Sequence, residues 1–581
     1  MVKIQLITSP NQKLKKNFKY LNYGCLNLSN DISKKDVLKD HPWNNRERYY
    51  QDSIKIEKIY LYTLREISND LNNYHKIKKN LRYWKILLGP WLNSFITTYY
   101  EKNLEIEQLL KIKKKITIQI SNINIEDQIP TNFFNHFTEK INNPSWHANL
   151  FSTILKKKKL GKNFLLKYIN YPTVKTIRKN KINIFTSLKK KILNLLNLLF
   201  FPITRNQSLV FFNSYLSFKD KLFLTLKNFS LPIYLKDPNK ILTPNFLLRQ
   251  SLSNKYKKND IYSDILRLCF LNLPKDLLEN FYSIGKNVFE SRITKNPKVI
   301  FTANGIYISS IQTRYIAECI SNGSKLIIAQ HGGRYRNIKN FFNFNHEVDI
   351  CDYFVSWGGK KIKSKIKNLG IIKPIKTFKK KDGKNILFLM LSKSRFHRNT
   401  DTEINIKELY NYYNKICPNF YFYLQKKLKK NLVYRSSYIN YWNEKELLKK
   451  KCKLSKIDFD RQKTELFSEA KKSKIIVCSY LSTTFLELMS ANIPVILFTP
   501  FSLKGYNTET IKAFYQMEKN KIYFRNYKRA ATFINKNWEN IDNWWFSNKT
   551  QRSRKNFLNN FSILNQQLAQ DIQSIINSAK K

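Results

Sequence analysis

Apolar positions along this chain change their spacing near residue 208. Upstream, in 1–205, they return every three or four residues within long polar-aromatic stretches that carry few turn signals, which predicts a mainly helical N-terminal region. Downstream, short apolar runs alternate with amphipathic segments: "SLVFFNSYL" (208–216), "LPIYL" (231–235), "KVIFTANG" (298–305), "KLIIAQHGG" (325–333) and "DYFVSWGG" (352–359). Between the third and fourth lies "IYISSIQTRYIAECISNG", helical in period and closed by Gly323. Strand, helix, strand in series predicts a parallel sheet. The Lys-rich stretch 363–384, with Pro374 and Gly383 and little apolar periodicity, reads as a linker.

A second series follows the linker. Strands are expected at "NILFLMLS" (385–392), "NLVYR" (431–435), "KIIVCSY" (474–480) and "IPVILF" (493–498), with helices near 418–430, 463–472 and 483–491. The tail from about 550 is amphipathic and helical again. The expected organisation is α/β: a helical region (1–205), a first α/β lobe (206–375), a second (376–535), and a helical tail (536–581) that packs back on the first lobe. Such a chain places a ligand in the cleft between its lobes.

Composition adds charge. Lys+Arg number 104 against 41 Asp+Glu, a net +63 over 581 residues, while 42% hydrophobic content marks a folded protein. An anionic partner fits such an excess: nucleic acid, an anionic membrane surface or a phosphorylated substrate. The lysines, however, are spread along the whole chain among abundant Asn, Ile, Tyr and Phe, as codon drift would place them, and no nucleic-acid-binding signature accompanies them. No specific nucleic-acid partner is therefore expected. Seven scattered cysteines without a C-x-x-C suggest reduced thiols in a cytoplasmic protein. The N-terminus has too short an apolar stretch for a signal peptide. "ILNLLNLLFF" (192–201), too short to span a bilayer, follows "LKKK" and suits either a core helix or a helix lying on the inner face of an anionic membrane.

Candidate chemistry concentrates behind three strands. Ligands of open parallel sheets sit beyond the carboxyl ends of strands. There "KLIIAQ" runs into His331, Gly332 and Gly333, followed by Arg334 and Arg336. The glycines admit a ligand to the backbone, the arginines offer charge-assisted donors, and the imidazole can take a proton. A glycine turn with a satisfied histidine is the plainer alternative. Just downstream, Glu347 is a candidate base or carboxylate partner, or a plain acidic cap. Behind "KIIVCSY", Ser482, Thr483 and Thr484 open a helix with Glu487 one turn in, an anion site or simply a cap. Behind "NILFLMLS", Lys393, Arg395, His397 and Arg398 form a basic loop suited to a diphosphate, or a solvated loop. Phosphate-loop, dinucleotide, nucleophile-elbow and zincin motifs are missing, and Asp458/Asp460 fit a helix cap better than a metal site, so no metal and no cofactor are expected.

Two further blocks carry a resemblance. "HPWNNRERYYQD" (41–52) and "LNNYHKIKKNLRYWKILLGPWLNSFI" (71–96), with "TANG", "AQHGGRYRN", "HE", "WGG" and "STTFLELMSANIPVILF" in order, resemble the O-antigen or surface-polysaccharide transferases of the spirochaete type. The last block is also similar to glycerophosphotransferases and capsule glycosyltransferases. The resemblance covers essentially the whole chain. It implies a GT-B-like fold of two Rossmann-like lobes, the first facing the acceptor and the second the nucleotide. It also implies transfer of a sugar from a nucleotide donor to a glycan or lipid-linked acceptor, with glycerophosphate transfer on the same fold as an alternative; apart from the resemblance, the charge and aromatics leave a basic nucleic-acid-binding or membrane-surface scaffold protein as competing readings. His331, Gly332 and Gly333, and Ser482 to Thr484 with Glu487, match the family's pattern. The family tends towards Gly where Arg336 stands, and its W-G-W-like ending reads "WGG" here. In the second block His75, Arg82 and Trp84 are candidate acceptor contacts, an indole being a good platform for a sugar face; a buried helix broken at Gly89–Pro90 is the alternative.

Overall fold

Three parallel sheets, rather than two, organise the described residues. A computed structural model describes residues 4–7, 18–20, 40–122, 125–169, 195, 199–231, 233, 235, 241–291, 293–359, 364–375, 383–401, 403–436, 441–453 and 465–581. The N-terminal region holds the sheet that apolar spacing did not announce: β1 (Ile4–Ile7), β2 (Phe18–Tyr20), β3 (Ile116–Ser121) and β4 (Phe164–Ile169), ordered β2-β1-β3-β4. Its helices are as expected. Arg46–Tyr74 and Leu81–Leu110 pair lengthwise, each started by an Asn (Asn45, Asn80) whose side chain accepts a first-turn N–H.

The first lobe strings β5 (Leu209–Phe212), β6 (Val299–Thr302), β7 (Lys325–Ala329), β8 (Tyr353–Ser356) and β9 (Ile366–Asn368) in sequence order, all parallel. The helix Ser310–Ser321 makes the β6–β7 crossover, and Gly323 past its end takes a φ of +100°. The expected linker therefore contributes an edge strand, β9; its residues 363 and 376–382 lie outside those described. Of the expected strand at 231–235, residues 231, 233 and 235 are not in a strand and the others lie outside the described residues, as does most of 192–201 and all of 454–464 with Asp458 and Asp460.

The second lobe comprises β10 (Asn385–Leu389), β11 (Leu432–Arg435), β12 (Ser473–Cys478), β13 (Val495–Phe498) and β14 (Tyr523–Phe524), ordered β11-β10-β12-β13-β14. Its chain leaves β10 in one direction for β11 and crosses back to β12, which makes the carboxyl ends of β10 and β12 a topological switch point, where open sheets bind ligands. The fold is thus two Rossmann-like lobes preceded by a mixed region. The tail closes it as expected. The helix Asn548–Phe561 packs on Thr483–Ser490 of the second lobe, and the chain then crosses so that Leu568–Lys580 packs on Phe218–Lys227 and β6 of the first.

Candidate active site

The carboxyl ends of the two lobes' sheets meet. Gly333, four residues beyond β7, donates its N–H to Thr483 Oγ1 at 2.8 Å, at the start of the helix after β12. A Cβ on Gly333 would lie 2.7 Å from Thr483 N and 2.9 Å from Ser482 O, so only glycine allows this approach. Beyond it the same loop is stitched to the second lobe. Lys339 donates its N–H to Gly505 O at 3.0 Å, Asn507 N–H to Asn337 O at 3.0 Å, and the Asn507 amide to Arg336 O, while Ile338 bridges Tyr506.

Beside this seam opens a cavity of about 510 Å³. The first lobe supplies His331, Arg334 and Tyr307, the second Lys393, His397, Arg398 and Tyr480, and the N-terminal region Phe133, Phe134 and Phe137. Two of the three stretches singled out in the sequence therefore share one chamber. The third does not reach it. Ser482 caps its own helix by accepting from Phe485 N–H at 3.1 Å, Thr483 holds Gly333, and Glu487 pairs with Lys373 at 3.3 Å.

His331 stands at the head of a hydrogen-bonded chain. Its ring edge lies 3.0 Å (Nδ1) and 3.2 Å (Nε2) from the Tyr335 hydroxyl, which donates to Glu347 Oε1 at 2.7 Å; the Tyr307 hydroxyl donates to the same oxygen at 2.8 Å. Glu347 is fully buried within Phe342–Ile350 and touches no cavity surface. Burial pushes its carboxyl up to about 8, less what the two tyrosines restore. Burial likewise lowers His331 to about 4, aided by nearby Lys373 and opposed by the Ala303 carbonyl. The imidazole is therefore neutral at pH 7, and the Glu347 carboxyl, with Oε1 4.0 Å away, is uncharged there too.

Opposite lies a knot of charge. Arg334 pairs with Asp401 and, at 2.6 Å, with Glu403; Lys393 Nζ is 3.5 Å from Asp401. Burial opposes the Arg334 charge, but the two carboxylates outweigh it and hold the group above its ordinary value. Lys393 is pulled down, chiefly by burial, and its ammonium has no hydrogen-bond partner among the described residues. Arg398 sits 4.8 Å over the Phe137 ring and donates to Asn142 and Tyr441, whereas Arg395 turns away to Tyr441 O and Trp442.

The aromatic blocks serve as scaffold. His75 is buried, stacked 3.9 Å from Phe281 and bonded to Leu277 O; Trp84 is buried with its indole N–H on Asn72; Arg82 pairs with Asp352 at 2.6 Å. None of the three lines the cavity. Nor does the helix break at Gly89–Pro90: it runs through, the bare Gly89 leaving room for His346 and Tyr60, whose atoms a Cβ would meet at 2.7 Å. The first block reaches the second lobe. Trp43 stacks on Tyr49 at 4.6 Å and meets His397 edge-on at 4.9 Å, and Tyr49 donates to Asp401 O. His397 in turn bonds Glu101 at 2.5 Å, inside a buried group in which His41, Glu101 and Glu105 approach one another around Lys102. With the Lys102 ammonium 2.9 Å from Glu105, these carboxylates already have their cation.

Arg336 has a φ of +61°, the left-handed region where glycine is at ease. Its guanidinium donates to Gly358 O at 2.7 Å and fills the space that a Cβ on Gly359 would occupy. Positions 336 and 359, where the sequence departs from the pattern it resembles, thus face each other.

Missed in the sequence were Tyr307 and Tyr335 on Glu347, and Asp401 and Glu403 on Arg334. Tyr335 was in view inside "HGGRYR", and the "DTE" directly after the basic loop was the signal for the carboxylates.

Two parallel-sheet lobes whose carboxyl ends meet beside a chamber lined by charged and aromatic side chains define a two-lobed α/β protein. The chain belongs to the LIC12162 family of transferases, matching it over residues 6–576. No curated protein matches the sequence. Among solved structures, the chain is similar to MurG of Acinetobacter baumannii (11% identity, TM-score 0.30, 62% of this chain and 88% of that one). It is also similar to a glycosyltransferase of Rickettsia africae (13%, 0.31, 62% and 88%). Likenesses this faint carry no weight for substrate or mechanism, and the two lobes stand on the sheets themselves. No helix among the described residues is long and apolar enough to cross a membrane.

Proposed function

We propose that the protein is a glycosyltransferase that moves a sugar from a nucleotide donor to a growing surface glycan of the O-antigen or capsule type. The observation carrying this reading is the chamber itself, in which a neutral His331 from one lobe faces Lys393 and Arg398 from the other. An acceptor hydroxyl attacks the anomeric carbon, the bond from that carbon to the phosphate oxygen breaks, and the hydroxyl proton passes to His331. Glu347, behind Tyr335, is uncharged at neutral pH and acts as a positioning residue, holding the Tyr335 hydroxyl against the His331 ring. Lys393 and Arg398 face the departing diphosphate, the place where negative charge develops. The volume of about 510 Å³ suits a sugar nucleotide rather than a polymer, and the phenylalanines from the N-terminal region offer a wall for a sugar face.

A thermal-shift screen of nucleotides and nucleotide sugars tests donor class: one base should stabilise the protein, with the matching sugar nucleotide at least as effective. His331→Ala should leave the melting temperature nearly unchanged and lower turnover by roughly a hundredfold or more. Near-normal turnover in that variant would assign the H-G-G loop to the seam alone.

A further inference from the structure

We infer that the outer face of the first lobe, centred on the helix Phe218–Lys227, is a docking surface for an anionic lipid bilayer. Phe218, Leu222 and Leu226 recur every four residues on this helix and all stand in solvent, Phe218 at 83% and Leu226 at 65% exposure. Phe229, just past its end, is 86% exposed. The stripe continues into the preceding segment. Leu199 and Ile203 are 65% and 66% exposed, and Gln207 is tied to Leu231 through both its side-chain amide groups, which sets Ile203 and Phe229 on neighbouring chain segments. The helix instead buries Leu224, and Asn228 beyond its end bonds Gln573 of the C-terminal helix, so its other side is already packed.

Charge selects the occupant. Lys219, Lys227 and Arg205 are exposed around the apolar stripe, Lys221 is half-exposed, and "LKKK" at 188–191 precedes it in sequence. The one carboxylate on the helix, Asp220, accepts from the Ser217 hydroxyl at 2.6 Å in the N-cap. Large apolar side chains ringed by lysines insert at the boundary between acyl chains and anionic headgroups, whereas a protein partner would need carboxylates opposite them. The position also suits the reaction, an argument that rests on the proposed function. The strands are parallel, so the start of this helix lies at the same end of the sheet as the His331 loop. Tyr215, three residues before Phe218, lies parallel to the His331 ring at 6.5 Å. A bilayer on this face brings a lipid-linked acceptor to the rim beside His331.

Vesicle flotation tests the docking apart from any transfer. With 30% phosphatidylglycerol in phosphatidylcholine at 0.1 M NaCl, the protein should float with the vesicles, and binding should weaken several-fold at 0.5 M NaCl. Phe218→Ser, Leu222→Ser, Leu226→Ser and Phe229→Ser together should lower partitioning at least tenfold with an unchanged melting temperature, because these side chains are exposed. Lys512→Glu with Lys519→Glu, in the second lobe, should change it less than twofold. Equal losses in the two variants, or full binding by the serine variant, would overturn the proposal in favour of diffuse attraction by the net charge. So would a concentration-dependent dimer abolished by the serine substitutions, which would seat a second copy on the face. A loss of docking with nucleotide binding intact, or the reverse, separates this inference from the transferase reading.

Discussion

Gly333→Ala is the sharpest test of how the lobes meet. The added Cβ would stand 2.7 Å from Thr483 N and 2.9 Å from Ser482 C and O, all main-chain atoms at a helix start that no rotamer change can move. Restoring ordinary contact at about 3.4 Å requires the loop and the helix to part by roughly 0.7 Å, which stretches the Gly333–Thr483 bond of 2.8 Å beyond hydrogen-bonding range. Overpacking of this kind costs about 1–3 kcal/mol, and losing the hydrogen bond adds about 1 kcal/mol. Gly332→Ala is the control, since its Cβ would meet nothing nearer than Thr483 Oγ1 at 3.6 Å, and neither glycine has a positive φ. Urea unfolding should therefore give a clear loss for Gly333→Ala and a change within about 0.5 kcal/mol for Gly332→Ala. Turnover should fall about tenfold or more in the first, because displacing a reacting group by most of an ångström is costly. Two variants of equal stability would refute the close approach.

Other consequences can be checked separately. Glu347 in the fold holds its proton up to about pH 8, against about 4.5 when unfolded, so between these values the folded state binds more protons and stability falls as pH rises, by up to about 1.4 kcal/mol per unit. Glu347→Gln should gain stability relative to the parent from pH 5 to 8 in urea titrations; parallel profiles would mean an ordinary carboxyl. Arg334→Leu strands Asp401 and Glu403 with Lys393 and should cost about 3–5 kcal/mol at pH 7. Asp401 is held below its ordinary value by Arg334 and Lys393 against the burial that opposes its charge, so that penalty should shrink as pH drops below the unfolded carboxyl range. Gly89→Ala, which in an open helix would stabilise by about 1 kcal/mol, should instead lower the melting temperature, since His346 and Tyr60 occupy the site.

Both lobes were legible because buried parallel strands are written as unbroken apolar runs: "KLIIA", "YFVS", "NILFL" and "SKIIVC" each stand where the spacing placed them. The N-terminal sheet was not. β3 and β4 are set among lysines and long helices, and the pairing of β3 with β1 joins residues more than a hundred apart. The His331 loop announced itself through glycines behind a strand. What those glycines do was hidden, because the partner that requires Gly333 to be bare lies 150 residues downstream. The aromatic block around Trp84 looked like a sugar platform for a similar reason. Composition records that rings are present, while only packing decides that Phe281 and Asn72 use them up.

The stitching that runs from Gly333 through Asn337 and Lys339 to Gly505 and Asn507 bears on how substrate enters and leaves. The Thr510 hydroxyl, donating to Asn337 Oδ1 at 3.3 Å, closes the row. A book glued along part of its fore-edge cannot be opened from the spine. Main-chain bonds along this margin tie the lobes together at one edge, so on the proposed function we expect the angle between them to hold on binding and the wall built by Phe133, Phe134 and Phe137 to be the part that yields. Scattering profiles with and without a bound nucleotide should then superimpose, while amide exchange slows in residues 131–143 as well as in the His331 and Lys393–Arg398 loops. On that expectation the N-terminal region would be the door, and the two lobes the frame that holds it.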